Sequence, residues 1–132
     1  MKTLTVVAAV IVHAEHILCV QRGPGKYTYT AGKWELPGGK VAPGESNREA
    51  LCREIKEELA LDITVREHCL TVDHQYPDFR ILLHAYQCTT LTKKLILTEH
   101  IDYRWLPATA LPPLDWAAAD VPIIKQLLTG PR

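Results

Sequence analysis

The chain has no CxxC pair, no HExxH or other zinc spacing, no surplus of either charge, and no apolar run long enough to span a membrane. Each absence removes a class of function. Without CxxC spacing, Cys19, Cys52, Cys69 and Cys88 read as buried, reduced thiols of a cytoplasmic protein. His13, His16, His68, His74, His84 and His100 are individually structural or exposed rather than catalytic. Fifteen basic residues balance fifteen acidic ones, which favours neither a nucleic-acid polymer nor an anionic membrane as partner. The adjacent basic pair Lys93-Lys94 reads as a turn between strands. The apolar stretch 4–12 follows Lys2 as a signal peptide would. It lacks a cleavage region, however, and runs straight into a hairpin-like His13-Ala14-Glu15-His16. No membrane span is expected. Repeats, low-complexity tracts and interdomain linkers are also missing, and the length fits one domain, residues 1–132.

What the chain does have is acid, concentrated in one place. Five glutamates fall between positions 45 and 58. Glu54, Glu57 and Glu58 are spaced i, i+3, i+4, which puts them on one helical face. Like charges so placed repel by roughly 0.2–0.5 kcal/mol per i,i+4 pair. A hard cation turns that repulsion into attraction, and oxygen-only ligands suit Mg²⁺ or Mn²⁺. Three acids alone would be an ordinary solvated face. Here they ride on a well-specified helix. Ser46 and Glu49 have the capping-box form, and Leu51, Ile55 and Leu59 make an apolar stripe at i, i+4, i+8. That stripe lies about a quarter turn from the acids, at roughly 3.6 residues per turn. Upstream, Pro37-Gly38-Gly39 reads as a tight loop whose backbone approaches a ligand closely.

The remaining pattern alternates strands with loops. Residues 3–12 and 17–21 read as strands, 22–32 as a loop and 34–36 as a short strand. A helix follows over 47–59. Strands at 63–72 and 79–89 flank the turn Tyr76-Pro77-Asp78, and 101–105 alternates as a half-buried strand. Residues 111–114 form a loop, and 121–128 a helix with Val121, Ile124 and Leu128 on one face. The mixture gives an α+β or α/β sandwich of helices and sheet.

Residues Gly39, Glu45, Arg53, Glu54, Ile55, Glu57, Glu58 and Leu61 match, at their spacings, the Nudix box. The chain thus resembles the MutT-type Nudix hydrolases, with the greatest likeness to small bacterial nucleoside triphosphate pyrophosphohydrolases of the CTP type. Ala60 stands where the family has glycine. Either the helix runs on by one residue, or alanine takes a left-handed conformation at a cost of about 1 kcal/mol. The resemblance implies the Nudix fold, an α/β/α sandwich around a mixed sheet. It also implies metal-dependent hydrolysis of a triphosphate to monophosphate and pyrophosphate, by a monomer or homodimer acting on a small nucleotide.

The same resemblance implies the site. Glu54, Glu57 and Glu58, with the Gly38 carbonyl, are the metal ligands. Arg53 orients a box glutamate. Gly39 and Glu45 support them, Glu45 by orienting the loop or a water beside the metal. The general base is a box glutamate or a later acid, for which Glu99 in Thr98-Glu99-His100 is the candidate and a further ligand. Arg22 reaches phosphate or base, or lies on the surface. Glu35 and Gly38 belong to the loop under the nucleotide. Tyr27, Tyr29 and Tyr76 either stack on a base or pack. Asp120, before Pro122, either caps the last helix or reads the base. An ionised carboxylate only accepts hydrogen bonds, which suits cytosine N4 and disfavours guanine O6. CTP, dCTP or a 5-substituted dCTP is therefore the expected substrate. The alternatives are oxidised dGTP and ADP-ribose, the latter kept open by Pro77 though the chain lacks those enzymes' N-terminal extension. A nucleotide sensor without activity is disfavoured because every box glutamate is present.

Overall fold

The computed structural model describes residues 1–25 and 27–129; Lys26, inside the expected 22–32 loop, and residues 130–132 lie outside the description. The order is β1 (Lys2–His13), β2 (His16–Gln21), β3 (Trp34–Glu35), β4 (Gly38–Lys40), α1 (Asn47–Leu59), β5 (Thr64–Gln75), β6 (Phe79–Thr89), β7 (Asp102–Leu106) and α2 (Val121–Thr129). The expected strands and helices appear in order, with β5 three residues longer at its end and β4 as a further strand where a glycine loop was expected.

β1 organises the sheet. It runs parallel to β6 from Lys2↔Phe79 to Val12↔Thr89, while β5 flanks β6 antiparallel. β2 pairs with β1 only beside the hairpin, at Val12↔Ile17 and His13↔His16. It then joins β7 and β3. The place it leaves along β1 is taken by β4, at Val6↔Lys40, Val7↔Gly39 and Ala8↔Gly38. Parallel and antiparallel pairs thus share one mixed sheet.

Alternation along β1 divides the core. Val7, Ala9 and Ile11 face α1 and pack with Ala50, Leu51, Ile55 and Leu59. Ala8 and Val10 face the other way, into a layer with Trp34, Trp116, Ile123 and Ile124. One helix therefore covers each face of the sheet, and the α/β/α sandwich is present. The stripe of α2 differs from expectation. Its buried residues are Ile123 and Ile124, while Val121 and Leu128 are half-buried.

α1 starts as its sequence indicates. The Glu49 amide donates to Ser46 Oγ at 3.1 Å, and the Ser46 amide donates to Glu49 Oε1 at 2.9 Å. It ends in the less comfortable of the two ways open to it. Ala60 sits at φ 53°, ψ 36°, left-handed, with its amide on the Lys56 carbonyl. The glycine loop needs a larger correction, because Gly38 and Gly39 lie in strand β4 and neither has positive φ. Glycine is required there for space. A Cβ on Gly38 would overlap the Val7 carbonyl, and one on Gly39 would overlap the Glu54 carboxylate.

The thiols also divide. Cys19 and Cys88 are buried, as expected, but Cys52 is exposed on α1 and Cys69 is half-buried; all four are free. Among the described residues no helix is long and apolar enough to cross a membrane.

Candidate active site

A cavity of about 740 Å³ opens between α1, β4 and the 76–79 turn. Arg22, Glu35, Gly38, Gly39, Glu54, Glu57, Glu58, Glu99 and Asp120 all line it. Arg53 and Glu45 do not; they brace the acids from behind.

The brace is built on α1. Arg53 donates from Nε and Nη2 to both oxygens of Glu45, at 2.6 and 2.8 Å. Nη1 donates to Glu54 Oε1 at 2.7 Å and to Glu57 Oε2 at 3.2 Å, and Nη2 also reaches the Lys40 carbonyl. Glu45 accepts the Ala42 amide at 2.9 Å, so one guanidinium ties the β4–α1 loop to the acidic face. Charge-assisted bonds of this kind are the strong ones. They hold the Glu45 carboxyl down at about 2, through Arg53 first and the Ala42 amide second, and they raise Arg53. Glu54 lies over the bare Cα of Gly39, while Glu57 is 60% exposed.

Glu58 is different. Its Oε2 is buried and has no hydrogen-bond partner. Burial first, then the charges of Glu54 and Glu99, push its carboxyl well above the usual range. A buried oxygen without a donor is costly, and a divalent cation would supply what it lacks. Among the described residues no three His, Cys, Asp or Glu side chains converge on one point, since Glu54 and Glu57 turn toward Arg53. The donor set is nonetheless all oxygen, which fits a hard cation.

The Glu99 segment reaches the site by completing α1. The last carbonyls of a helix need outside donors. Here the Ile96 amide serves Leu59, and the Thr98 amide and Oγ1 serve the Glu58 carbonyl at 3.2 and 3.0 Å. Glu99 follows immediately and faces Glu58.

The opposite end of the cavity is drier. Residues 115–117 run beside Trp34, with the Trp34 amide on the Asp115 carbonyl and the Ala117 amide on Trp34. This carries Asp120 under β3. Asp120 is buried, and its Oδ2 accepts the Leu36 amide at 2.8 Å. That bond points the carboxyl toward β3 from the short turn Ala118–Asp120 ahead of α2. Burial, reinforced by the charge of Glu35 and opposed by the Leu36 amide and Arg22, pushes the carboxyl up to about 8. Burial thus favours the protonated form, in contrast to the purely accepting carboxylate expected from the sequence.

Glu35 links the two ends. It lies 3.7 Å from Arg22 and 3.0 Å from Nε2 of His100, whose side chain is only 6% exposed. Sequence reading passed over His100; its position next to Glu99 was the one signal available. Tyr29 stacks on Tyr27 and Tyr76 and donates to Asp78 at 2.7 Å. Tyr27 and Tyr76 also line the cavity. Pro77 is exposed at the turn and is not part of the lining.

Comparison with known proteins agrees with this geometry. The NUDIX domain family matches residues 6–126. The CTP pyrophosphohydrolase of Escherichia coli K12 is 36% identical over 97% of this chain and 93% of its own. A putative 8-oxo-dGTP diphosphatase 2 of Mycobacterium tuberculosis is 38% identical over 87% of this chain and 81% of its own. The crystal structure of the MutT protein of Methanosarcina mazei Go1 superposes with a TM-score of 0.86 at 25% identity, covering 96% of this chain and 93% of the other. Box, sandwich and full-length likeness coincide: the chain belongs to the Nudix family, as a MutT-type hydrolase of nucleotide diphosphate linkages.

Proposed function

We propose that this enzyme hydrolyses a cytosine nucleoside triphosphate, CTP, dCTP or a 5-substituted dCTP, to the monophosphate and pyrophosphate. The observation that carries the reading is a single cavity with unpaired acid at one end and a buried hydrogen-bonding carboxyl at the other. Nudix hydrolases generally use divalent cations. Glu54, Glu57, Glu58, Glu99 and the Gly38 carbonyl would hold Mg²⁺ or Mn²⁺ here. When bound, such ions neutralise phosphate charge and activate water. The protein's own part is positioning and electrostatics. Arg53 keeps Glu54 and Glu57 in reach, Gly39 leaves room for Glu54, and Thr98 holds Glu99 beside Glu58. Glu58 and Glu99 are the candidates to take the proton from water, since both face the acidic end. Arg22, beside Glu35, is placed to meet the nucleotide's negative charge.

At the base end, protonated Asp120 offers one donor and one acceptor, which match cytosine N3 and N4. The E. coli relative's CTP activity supports that choice. A protonated carboxyl also matches the O6 and N1 edge of guanine, and this favours an oxidised dGTP substrate as the second reading, in line with the mycobacterial relative.

The test is a panel of triphosphates with Mg²⁺, with products identified in water labelled with heavy oxygen. Monophosphate and pyrophosphate, one of them labelled, are expected, with CTP or dCTP the best substrate. Orthophosphate as first product would refute the reaction class, and a preference for oxidised dGTP would select the second reading.

A further inference from the structure

We propose that His100 is a positioning residue: it holds the Glu35 carboxylate at the base end of the cavity and so links base discrimination to the segment that carries Glu99. The proposal rests on the reading that a nucleotide lies in the cavity with its base toward Asp120.

Three observations carry it. First, the imidazole is almost wholly buried and its Nε2 stands 3.0 Å from Glu35 Oε2. Its Nδ1 is buried without a partner. An imidazole with one bonded and one orphaned nitrogen is best accommodated with the proton on Nε2, donated to Glu35, and a lone pair on Nδ1. Second, the backbone on either side is clamped. Thr98 is bonded twice to the Glu58 carbonyl, and the Ile101 amide donates to the Gln21 carbonyl at 3.0 Å. His100 therefore cannot follow Glu35 if Glu35 moves. Third, Glu35 needs such a hold. It precedes Leu36, whose amide carries Asp120, and its charge acts against ionisation of both Asp120 and Glu58. Its other restraint among the described residues is the looser Arg22 pair at 3.7 Å, on a side chain 51% exposed. Freed from His100, Glu35 would turn toward solvent and the base pocket would lose a fixed acceptor.

The consequence is a direct mechanical tie. Thr98 sits on α1 next to Glu58, Glu99 faces the acids, and His100 grips the base end, in three consecutive residues.

The experiment compares His100→Ala and His100→Gln with wild type in kcat/KM for CTP, dCTP, dGTP and oxidised dGTP. In His100→Ala the ratio between best and worst base should fall about tenfold, the size of one hydrogen bond to a charged group. The loss should appear mainly in KM, and glutamine, which keeps an N–H donor, should restore it. An unchanged ratio in folded His100→Ala, or a glutamine variant no better than alanine, overturns the proposal. Where His100→Ala does not fold, the wild-type imidazole ¹⁵N spectrum decides. A proton on Nε2 whose signal moves on adding CMP supports the proposal, and a proton on Nδ1 alone overturns it. A wild type that prefers guanine would sink the cytosine reading while leaving the His100 ratio decisive. A wild type that takes no nucleotide would sink the proposed function, and the spectrum of the free protein would then decide for His100 on the Nε2 proton alone.

Discussion

At the α1 end of the cavity Arg53 donates to three carboxylates and Glu45 is held down at about 2; at the other end Asp120 is buried beneath Leu36 and raised to about 8. The residue class is the same, yet Glu45 and Asp120 are pushed in opposite directions, while Glu58, which Arg53 does not reach, is raised as Asp120 is. Near the brace Arg53 meets the Glu45 charge and the ionised form is favoured. Under β3 the charge of Arg22 opposes too weakly, desolvation dominates, and the neutral form is favoured. In the proposed function the acids that would hold a cation are thus braced by Arg53 or left short of a partner, and the acid that would read a base can both donate and accept.

The largest effect should come from removing charge at the α1 end. Glu54→Gln, Glu57→Gln and Glu58→Gln should each lower turnover by more than about 100-fold, beyond the 10–100-fold typical of a residue that only supports a ligand. Arg53→Gln should fall inside that lower range. Steady-state rates with circular dichroism as a fold control check this; near-normal activity in Glu58→Gln would dissolve the contrast between the ends.

The adjacent glycines sharpen it. Gly38→Ala collides with β1 and should cost stability, on the order of 1–3 kcal/mol as for overpacking, read by thermal melting. Gly39→Ala collides with a side chain that can move, so it should spare the fold and reduce turnover by displacing Glu54. Equal stability losses in the two variants would contradict the assignment.

At the base end, ionisation of Asp120 removes its donor. Cytosine N3, like guanine O6, needs that donor, so kcat/KM for the preferred nucleotide should fall as pH passes about 8, by up to roughly tenfold. Asp120→Asn should be flat with pH, and a wild type equally flat would separate Asp120 from base choice.

Stability gives the two ends opposite slopes. Glu45 is lowered from 4.5 to about 2, so its contribution is present above pH 4.5 and is lost as pH falls toward 2. Asp120 is raised from 3.8 to about 8. Between those values the folded state keeps a proton that the unfolded state has lost, so this contribution declines as pH rises, by at most about 1.4 kcal/mol per pH unit. Denaturant unfolding against pH should show Glu45→Gln flattening the acid side and Asp120→Asn flattening the neutral side. The smallest effect is Ala60→Gly, which relieves the left-handed cap and should stabilise by about 1 kcal/mol or less.

Much of this was legible in the chain. The capping box, the apolar stripe of α1 and the acidic i, i+3, i+4 face are local patterns, because one helix carries all of them at fixed spacing. The order of strands followed from alternation and turns for the same reason. What the chain alone determined was therefore the fold class, the acidic helix and the family's chemistry. Tertiary structure decided the rest. The reason for Gly38 and Gly39 lay in the Val7 carbonyl and the Glu54 carboxylate, partners distant in sequence, so local reading took space for turn geometry. The environment of Asp120 depended on Leu36, eighty-four positions away, and only burial there could set the charge of a residue the chain offered as either base reader or helix cap. Beyond its place next to Glu99, His100 gave no sign of itself, because a histidine's role is set by which carboxylate the fold lays against it, and that contact spans sixty-five residues. Short-range spacing is written in covalent geometry; the protonation state and aim of a side chain depend on the dielectric and the neighbours that folding brings to it.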